Sequence, residues 1–381
     1  MNCSNCGGVL RYDIARYGLV CDHCGTIRTL HRPEEGAVAG EMDFASAIRT
    51  ANVNWGVSRR LVICKSCGAQ MLYDSDQMSG LCPFCGSAIV LSAEEANCGI
   101  APNAIIPFSI TKEQVAGRFY RWNKFAFWSP EKFRKGKVLG NLTPVYIPYW
   151  TFDADTVTTY RGRFAFTTGS GDSRKTTWSV REGIVEKRID DCCVCGSRKF
   201  SNDRMLNSVI SFKAKELIPY QPEILSGMAA EIYTVGIDEA WAVAKNSIMQ
   251  KKIRDAAVAN ECATGCSELQ FSTEYFNVRY RYVLIPVWLT GCRFGGKIYN
   301  VAASGHNGTG NCSRPFSVLK LVTFLLLFIA GAIVSAIFQV LPWFITIAIF
   351  GFFIFMIIYV SMFFSTLMDQ KKYDRQGSER G

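Results

Sequence analysis

The strongest feature of the hydrophobic and polar pattern lies at the C-terminal end of the chain. No charged residue occurs between Lys320 and Asp369, and one membrane-crossing helix needs only about 20 apolar residues. The sequence Gln-Val-Leu-Pro-Trp at 339–343 divides this run with a polar group, a helix breaker and an interfacial aromatic residue. The pattern therefore predicts a two-helix transmembrane hairpin over 318–366, with helices at 318–339 and 343–366 and a tail at 367–381.

The residues that flank this block predict its orientation. Arg314 and Lys320 precede the block, and Lys371, Lys372 and Arg375 follow it. A hairpin places both flanks on one side of the bilayer, and basic flanks face the cytoplasm. The sequence thus predicts a multi-pass protein of the plasma (inner) membrane with cytoplasmic N- and C-termini and the lipid bilayer as a partner. The first residues show no basic and apolar signal-peptide pattern, in agreement with this placement.

The stretch 104–313 mixes helical and strand periodicities, which predicts a cytoplasmic α+β domain. Apolar residues recur at helical spacing after Thr111 and again after Asp238. Strict alternation over 276–284 predicts a strand, and Gly295-Gly296 predicts a hairpin turn after it.

A repeated strand motif lies within this domain. Tyr-Ile-Pro-Tyr-Trp at 146–150 and Leu-Ile-Pro-Val-Trp at 284–288 share the pattern Ile-Pro-x-Trp. Proline inside a strand favours an edge or a bulge. We expect two related β-units that pack together in an antiparallel sheet, covered by the helices.

Half of the sixteen cysteines form a repeated module near the N-terminus. Its two copies lie at 1–30 and 61–92, and a partly helical linker at 31–60 is expected between them. In each copy, two Cys-x-x-Cys pairs are separated by fourteen residues and each pair leads into a glycine. The second copy repeats the first at an offset of 61 residues. The eight cysteines are Cys3, Cys6, Cys21, Cys24, Cys64, Cys67, Cys82 and Cys85.

This spacing is typical of zinc ribbons with four cysteine ligands. Two intervening residues allow a tight turn to direct both sulfurs at one cation, and the glycine allows the backbone to curl around it. Two such turns complete a closed tetrahedral shell, so the sequence predicts two structural Zn²⁺ sites. His23 lies inside one turn but is not needed as a ligand. The other cysteines, including Cys192, Cys193 and Cys195, show no second pair and no assigned role.

Residues 118–137 combine seven basic and seven aromatic residues with one acid. This composition suits single-stranded nucleic acid, through base stacking and phosphate contacts. It also suits an anionic membrane surface, or a helix with its aromatic residues in the core and its charges in water. The chain carries a net charge of +10, which is compatible with the first two alternatives.

The sequence contains no recognisable catalytic motif. Its three histidines lie in unrelated contexts, and no phosphate-binding loop, nucleophile elbow or His-Glu-x-x-His motif is present. We therefore expect a non-enzymatic protein without a small-molecule substrate.

The chain resembles a family of bacterial membrane proteins with transcription-factor-IIB-type double zinc ribbons. The likeness rests on the two ribbons, the helix at 108–128 with Ser129-Pro130 after it, the segments 146–150 and 282–288, and the apolar C-terminal block. The resemblance implies association with flotillin-like (SPFH-domain) and phage-shock-protein-A-like membrane-stress proteins.

Two functional hypotheses follow. The first is a membrane-anchored scaffold or adaptor whose zinc ribbons and α+β domain recruit protein partners. The alternative is a membrane-associated protein that binds single-stranded nucleic acid through the ribbons and 118–137. The predicted fold class is multidomain α+β, with two zinc ribbons, the sheet domain and the transmembrane hairpin.

Overall fold

The computed structural model divides the chain into two compact units, one formed by Met1–Lys124 and Lys135–Arg314 and the other by Phe125–Arg134 and Pro315–Gly381. The described residues are 1–33, 39–50, 52–56, 59–75, 79–90, 99–123, 128–130, 137–169, 173–201, 208–294, 297–338 and 351–352.

The strands of the first unit are β1 (Leu10–Asp13), β2 (Gly18–Cys21), β3 (Ile27–Thr29), β4 (Met42–Asp43), β5 (Arg59–Ile63), β6 (Gln70–Asp74), β7 (Ser79–Leu81), β8 (Ala88–Val90), β9 (Ala104–Ile105), β10 (Thr143–Thr168), β11 (Lys175–Cys195), β12 (Ile218–Pro219), β13 (Ala229–Glu231), β14 (Gly265–Phe294), β15 (Lys297–Ser304) and β16 (Gly310–Cys312). The helices of this unit are α1 (Phe44–Thr50), α2 (Lys112–Asn123), α3 (Arg198–Ser201), α4 (Ile237–Val243) and α5 (Gln250–Asn260), and a π-helical turn joins the last two. The second unit contains α6 (Val318–Phe338).

Most of the first unit is built around one mixed sheet. Its central path runs β12-β9-β14-β10-β13-β6-β5, and β11, β15, β16 and β4 pair onto its sides. The sheet was predicted to be antiparallel, but β10 pairs with β13 in parallel and β14 pairs with β9 in parallel. In each parallel pair the two strands are far apart in the chain, as parallel pairing requires a long connection: β11, α3 and β12 lie between β10 and β13.

The two Ile-Pro-x-Trp strands pair directly with each other at the centre of this sheet. β10 and β14 run antiparallel with Ile147 opposite Ile285. Two residues before each isoleucine, a parallel neighbour begins: Val145 lies opposite Ala229, and Val283 lies opposite Ala104. The two halves of the sheet are thus related by an approximate two-fold axis that passes between the isoleucines.

The prolines of the motif lie where the neighbouring strand changes. Beside β10, pairing with β13 ends at Tyr146 and pairing with β11 begins at Tyr149, so Pro148 lies between them. A proline has no N–H to donate, and at this junction no neighbouring strand requires a hydrogen bond from that position. Its carbonyl is used, because it accepts a hydrogen bond from Gly196 at 2.8 Å. This explains how a proline is accommodated in a central strand.

The tryptophans of the motif make equivalent contacts in the two halves. Trp150 Nε1 donates to the carbonyl of Val235 at 2.9 Å, just before α4. Trp288 Nε1 donates to the carbonyl of Ile110 at 2.7 Å, just before α2. Each tryptophan therefore fixes the start of the helix that covers its half of the sheet.

In the second unit, Trp128 is buried and organises the start of α6. Its ring lies against Phe316 and Phe324, with centroids 6.2 and 5.4 Å away. Its carbonyl accepts a hydrogen bond from Ser317 N, and Lys320 Nζ donates to the carbonyl of Ser129. These contacts position the first turn of α6.

The predicted transmembrane hairpin is wrong. None of the helices in the described part of the chain is both long and apolar enough to cross a membrane. The second predicted helix, 343–366, and the tail, 367–381, lie outside the described residues apart from 351–352. The multi-pass placement in the plasma membrane rested on this hairpin and is corrected with it.

Candidate metal centres

The structure brings the eight predicted cysteines together as two groups of four. Within each group all four sulfurs lie within 4.8 Å of one another. The closest approaches are 3.4 Å between the sulfurs of Cys6 and Cys21, and 3.6 Å between those of Cys67 and Cys82. A tetrahedral Zn²⁺ with Zn–S bonds of about 2.3 Å places its sulfurs roughly 3.8 Å apart. The residues therefore fit two zinc ions.

Each of the four Cys-x-x-Cys turns has the same backbone geometry. The glycine after each pair donates its N–H to the carbonyl of the first cysteine, at 2.7 to 3.0 Å. These four glycines have φ between 70° and 73°, in the left-handed region that a residue with a Cβ rarely adopts. The glycines are Gly7, Gly25, Gly68 and Gly86. The repeated sequence thus specifies four copies of one metal-binding turn.

Hydroxyl groups next to the clusters support thiolate ligands. Thr26 Oγ1 lies 3.0 Å from the sulfur of Cys24, and Ser87 Oγ lies 2.9 Å from that of Cys85. Hydrogen bonds from Thr26 lower the pKa of Cys24 to about 5, so this sulfur is ionised and ready for a metal. Thr26 and Ser87 occupy matching positions at the 61-residue offset, a signal that was available in the sequence.

The first zinc ribbon, formed by β1, β2 and β3, presents its cluster to solvent. Cys6 and Cys24 are exposed, and so are the residues between each pair of cysteines, including His23. A short segment of the sheet unit holds the ribbon at its other end. There, Tyr12 N donates to the carbonyl of Ser226, and Ser226 Oγ donates to the carbonyl of Leu10.

The second zinc ribbon is built into the main sheet. β5 and β6 form a hairpin, and β6 pairs with β13. Cys64, Cys82 and Cys85 are buried and belong to the same apolar cluster as the central strands β10 and β14. This cluster of ligands is therefore part of the core.

A lysine from α3 completes the surroundings of the second cluster. Lys199 Nζ donates to the carbonyl of Cys67 at 3.0 Å and lies 5.0 Å from the centre of the Phe84 ring. Four thiolates around Zn²⁺ carry a net charge of −2, which a nearby ammonium group offsets. Sequence patterns did not reveal Lys199, because it lies more than 100 residues from the ribbon and no local motif connects them.

Glu231 of β13 is buried in the same region and has an unusual protonation equilibrium. Its Oε1 accepts a hydrogen bond from Ser197 Oγ at 2.6 Å, whereas Oε2 has no partner among the described residues. Burial raises the pKa of Glu231 to about 8, and the neighbouring Ser197 and Lys199 only partly oppose this.

We expect Glu231 to make stability fall with rising pH. Its folded-state pKa lies above its value of about 4.3 in an unfolded chain, so the stabilising proton is lost as pH rises toward 8. Between pH 6.5 and 8, wild-type protein should lose about 2 kcal/mol that Glu231→Gln retains. Urea unfolding of both proteins across this range measures the difference, with exposed Glu186→Gln as the matched control. Parallel pH profiles for wild type and Glu231→Gln would contradict the prediction.

Among the residues that the structure describes, no third group of cysteine, histidine or carboxylate side chains is placed to hold a metal. Cys192, Cys193 and Cys195 lie at the end of β11, where burial raises the pKa of each thiol. Such thiols are apolar core residues rather than ligands. Cys98 lies outside the described residues.

The basic and aromatic segment 118–137 is described only in part. Phe119 of α2 is fully buried, and Tyr120 beside it is half exposed. In the second unit, Trp128 is buried. Arg118 donates to the carbonyl of Asn307 at 2.8 Å. Two of these aromatic rings are thus core residues, and nucleic-acid binding by the segment stays a prediction.

The chain was compared with known families, proteins and structures. No family model and no solved structure matches it. A protein of Bacillus subtilis (strain 168) named "Uncharacterized protein YdjG" is 25% identical over 314 residues, which covers 80% of this chain and 87% of that protein. The likeness therefore extends well beyond the two ribbons, over most of the sheet unit.

Proposed function

We propose that this protein is a zinc-dependent, non-catalytic adaptor that recruits protein partners through its first ribbon. The observation that supports this most strongly is the contrast between its two cysteine clusters. Both are closed four-sulfur sites, which leave a metal no position for substrate or water. The second has three buried ligands and lies in the core, whereas the first has two buried and two exposed ligands, Cys6 and Cys24, and reaches the surface.

The first ribbon offers a small rigid surface for a partner. Both of its metal-binding turns are exposed, and β3 beside them presents Ile27, whose side chain is 51% exposed. β3 pairs with β2 on one side, and no other described strand pairs with it. Ile27 on this rigid strand, beside the exposed turns, would give a partner an apolar contact surrounded by polar groups.

The resemblance to double-zinc-ribbon proteins suggests the class of partner. We propose SPFH-domain (flotillin-like) or phage-shock-protein-A-like proteins, in a membrane-stress response. The bacterial relative carries no functional name that bears on this choice.

The proposal is tested by affinity purification of the tagged full-length protein, with nuclease treatment, followed by identification of what co-purifies. Ile27→Ser changes the displayed surface and leaves all eight zinc ligands in place. We expect this variant to keep two zinc ions and lose most of its specific partners, since a central apolar contact is worth 2 kcal/mol or more, about thirtyfold in affinity.

Exposed Ile63→Ser in β5 of the second ribbon is the matched control, because Ile63 is 56% exposed on the ribbon that is built into the fold. It should keep every partner. Partners that survive Ile27→Ser, or that depend on nucleic acid, would count against an adaptor that acts through the first ribbon.

A further inference from the structure

The outer edge of β11 is a long row of backbone groups that no described strand pairs with. Beyond the core, β10, β11 and β14 continue as a three-stranded arm with the order β11-β10-β14, in which β10 is the only strand of the described part of the chain that pairs with β11. We call this part, residues 155–168, 175–189 and 265–277, the arm. Unpaired edges of this length bind other strands unless they are protected.

The other edge of the arm carries protective features that β11 lacks. On β14, Glu268 and Asn277 have φ of 51° and 49°, which interrupt the regular strand at both ends. Arg254 of α5 also donates to the carbonyl of Cys266 at 2.8 Å. On β11, residues 175–189 include no left-handed residue, and the first one is Asp191. The edge of β11 is therefore regular over its full length.

One face of the arm is covered and the other is open. α5 packs on the side of Tyr160 and Phe164. On the opposite side, β11 exposes three large apolar side chains, Trp178, Val180 and Ile184, which are 49%, 58% and 61% exposed. Large apolar side chains on an exposed edge strand favour pairing with another strand, and the charges that β11 also carries select its partner.

We infer that β11 is a homodimer interface in which the edges of two copies pair antiparallel and join two arms into one continuous sheet. A two-fold axis at Val185 places residues that are equally distant from Val185 opposite each other. Glu182 of one copy then faces Arg188 of the other, twice, and no like charges are opposed. Opposite charges across a strand pair stabilise it. Both side chains lie on the open face, where they are 77% and 57% exposed.

Neighbouring registers do not offer this match. A two-fold axis at Ile184 opposes Glu182 with Glu186 and Arg181 with Lys187. An axis at Arg181, Glu182, Glu186 or Lys187 opposes a charge with itself. The charge pattern of β11 is therefore self-complementary in the register centred on Val185, which favours a second copy of this chain as the occupant of the edge. Antiparallel pairing about a two-fold axis is also the commonest way in which identical chains associate.

The test uses full-length, zinc-loaded protein and sedimentation velocity across the micromolar range. The apparent mass of the wild-type protein should rise with concentration toward twice the chain mass of 42.5 kDa. Arg188→Glu places an acid opposite Glu182 at each of the two contacts. It should weaken association about tenfold or more. The double variant Glu182→Arg/Arg188→Glu restores opposite charges and should associate as wild type does.

Hydrogen exchange gives a second readout. Backbone amides of 175–189 should exchange more slowly at concentrations where the dimer forms, whereas those of 269–276 on the β14 edge should not change. A single-chain mass at every concentration would overturn the inference. So would a dimer that Arg188→Glu leaves intact, since association would then occur elsewhere. Both results are independent of whether the first ribbon recruits partners, because Ile27 and β11 are altered separately.

Discussion

Cys82→Ser is expected to unfold most of the sheet unit, whereas the matching change in the first ribbon, Cys21→Ser, is expected to leave it folded. The two cysteines are equivalent within their ribbons, at the 61-residue offset. Their surroundings differ. Cys82 belongs to the apolar core that also contains Val145 and Val287 of the central strands. Cys21 is buried too, but within the first ribbon and outside that core, and its fellow ligands Cys6 and Cys24 are exposed.

The size of the effect follows from the energy of the metal site. Binding of structural Zn²⁺ supplies on the order of 10 kcal/mol or more, comparable to the 5–15 kcal/mol total stability of a typical domain. Where the turn at Cys82–Gly86 approaches β14, a Cβ on Gly291 would clash with the carbonyl oxygen of Phe84. This close backbone packing requires the turn to keep its conformation, which the bound metal maintains. Loss of the second zinc should therefore destabilise the sheet as well.

Zinc content, circular dichroism and hydrogen exchange measure the outcome. Cys21→Ser should retain one zinc ion per chain, with slow exchange in β10 and β14. Cys82→Ser should lose the protection of β10 and β14 together with its zinc. Slow exchange of these strands in Cys82→Ser would show that the second ribbon does not support the sheet.

The metal centres could be predicted from sequence because their chemistry is local. Each turn is specified by two cysteines and a glycine within five residues, and the repeat at a fixed offset excludes coincidence. Even Thr26 and Ser87 follow the repeat. Lys199 could not be predicted in this way, since its place beside Cys67 depends on α3 packing against the ribbon, a tertiary contact.

The sheet, like the metal centres, could be predicted from the sequence only in part. The motif Ile-Pro-x-Trp indicated two related strands, and the structure pairs them about Ile147 and Ile285. Their parallel neighbours, β9 and β13, are two or three residues long and too short to show a period. The mixed parallel and antiparallel topology therefore could not be predicted from sequence patterns. The transmembrane hairpin was wrong because apolar composition alone was taken to specify two crossings.

Arg281 of β14 is the second position at which we expect a large effect. Its side chain is buried, and it joins three carboxylates from separate parts of the chain. It lies 2.7 Å from Glu41, 3.3 Å from Asp191 and 3.5 Å from Asp153, and its Nε donates to the carbonyl of Ala39. Through these contacts it holds the linker between the two ribbons against the sheet.

Removal of this guanidinium leaves the buried Asp153 without its cationic partner, whereas Glu41 keeps Arg279 at 3.0 Å. Burial already raises the pKa of Asp153 to about 6, with Arg281 opposing the rise. Arg281→Ala should therefore cost about 3–5 kcal/mol near pH 8, as expected when one partner of a buried ion pair is lost. Exposed Arg188→Ala, which loses only a surface pair with Asp190, should leave stability nearly unchanged.

The loss in Arg281→Ala should also depend on pH, with a sign that identifies its cause. Without Arg281 the pKa of Asp153 in the folded protein moves further above its unfolded value, so the folded state retains a proton that the unfolded state releases. Stability of the variant is then highest at low pH and falls as pH rises through this range. Urea unfolding between pH 6 and 8.5 should show the gap between wild type and variant widening with pH. A gap of constant size would mean that Arg281 acts through packing and its bond to Ala39, and that charge compensation of Asp153 contributes little.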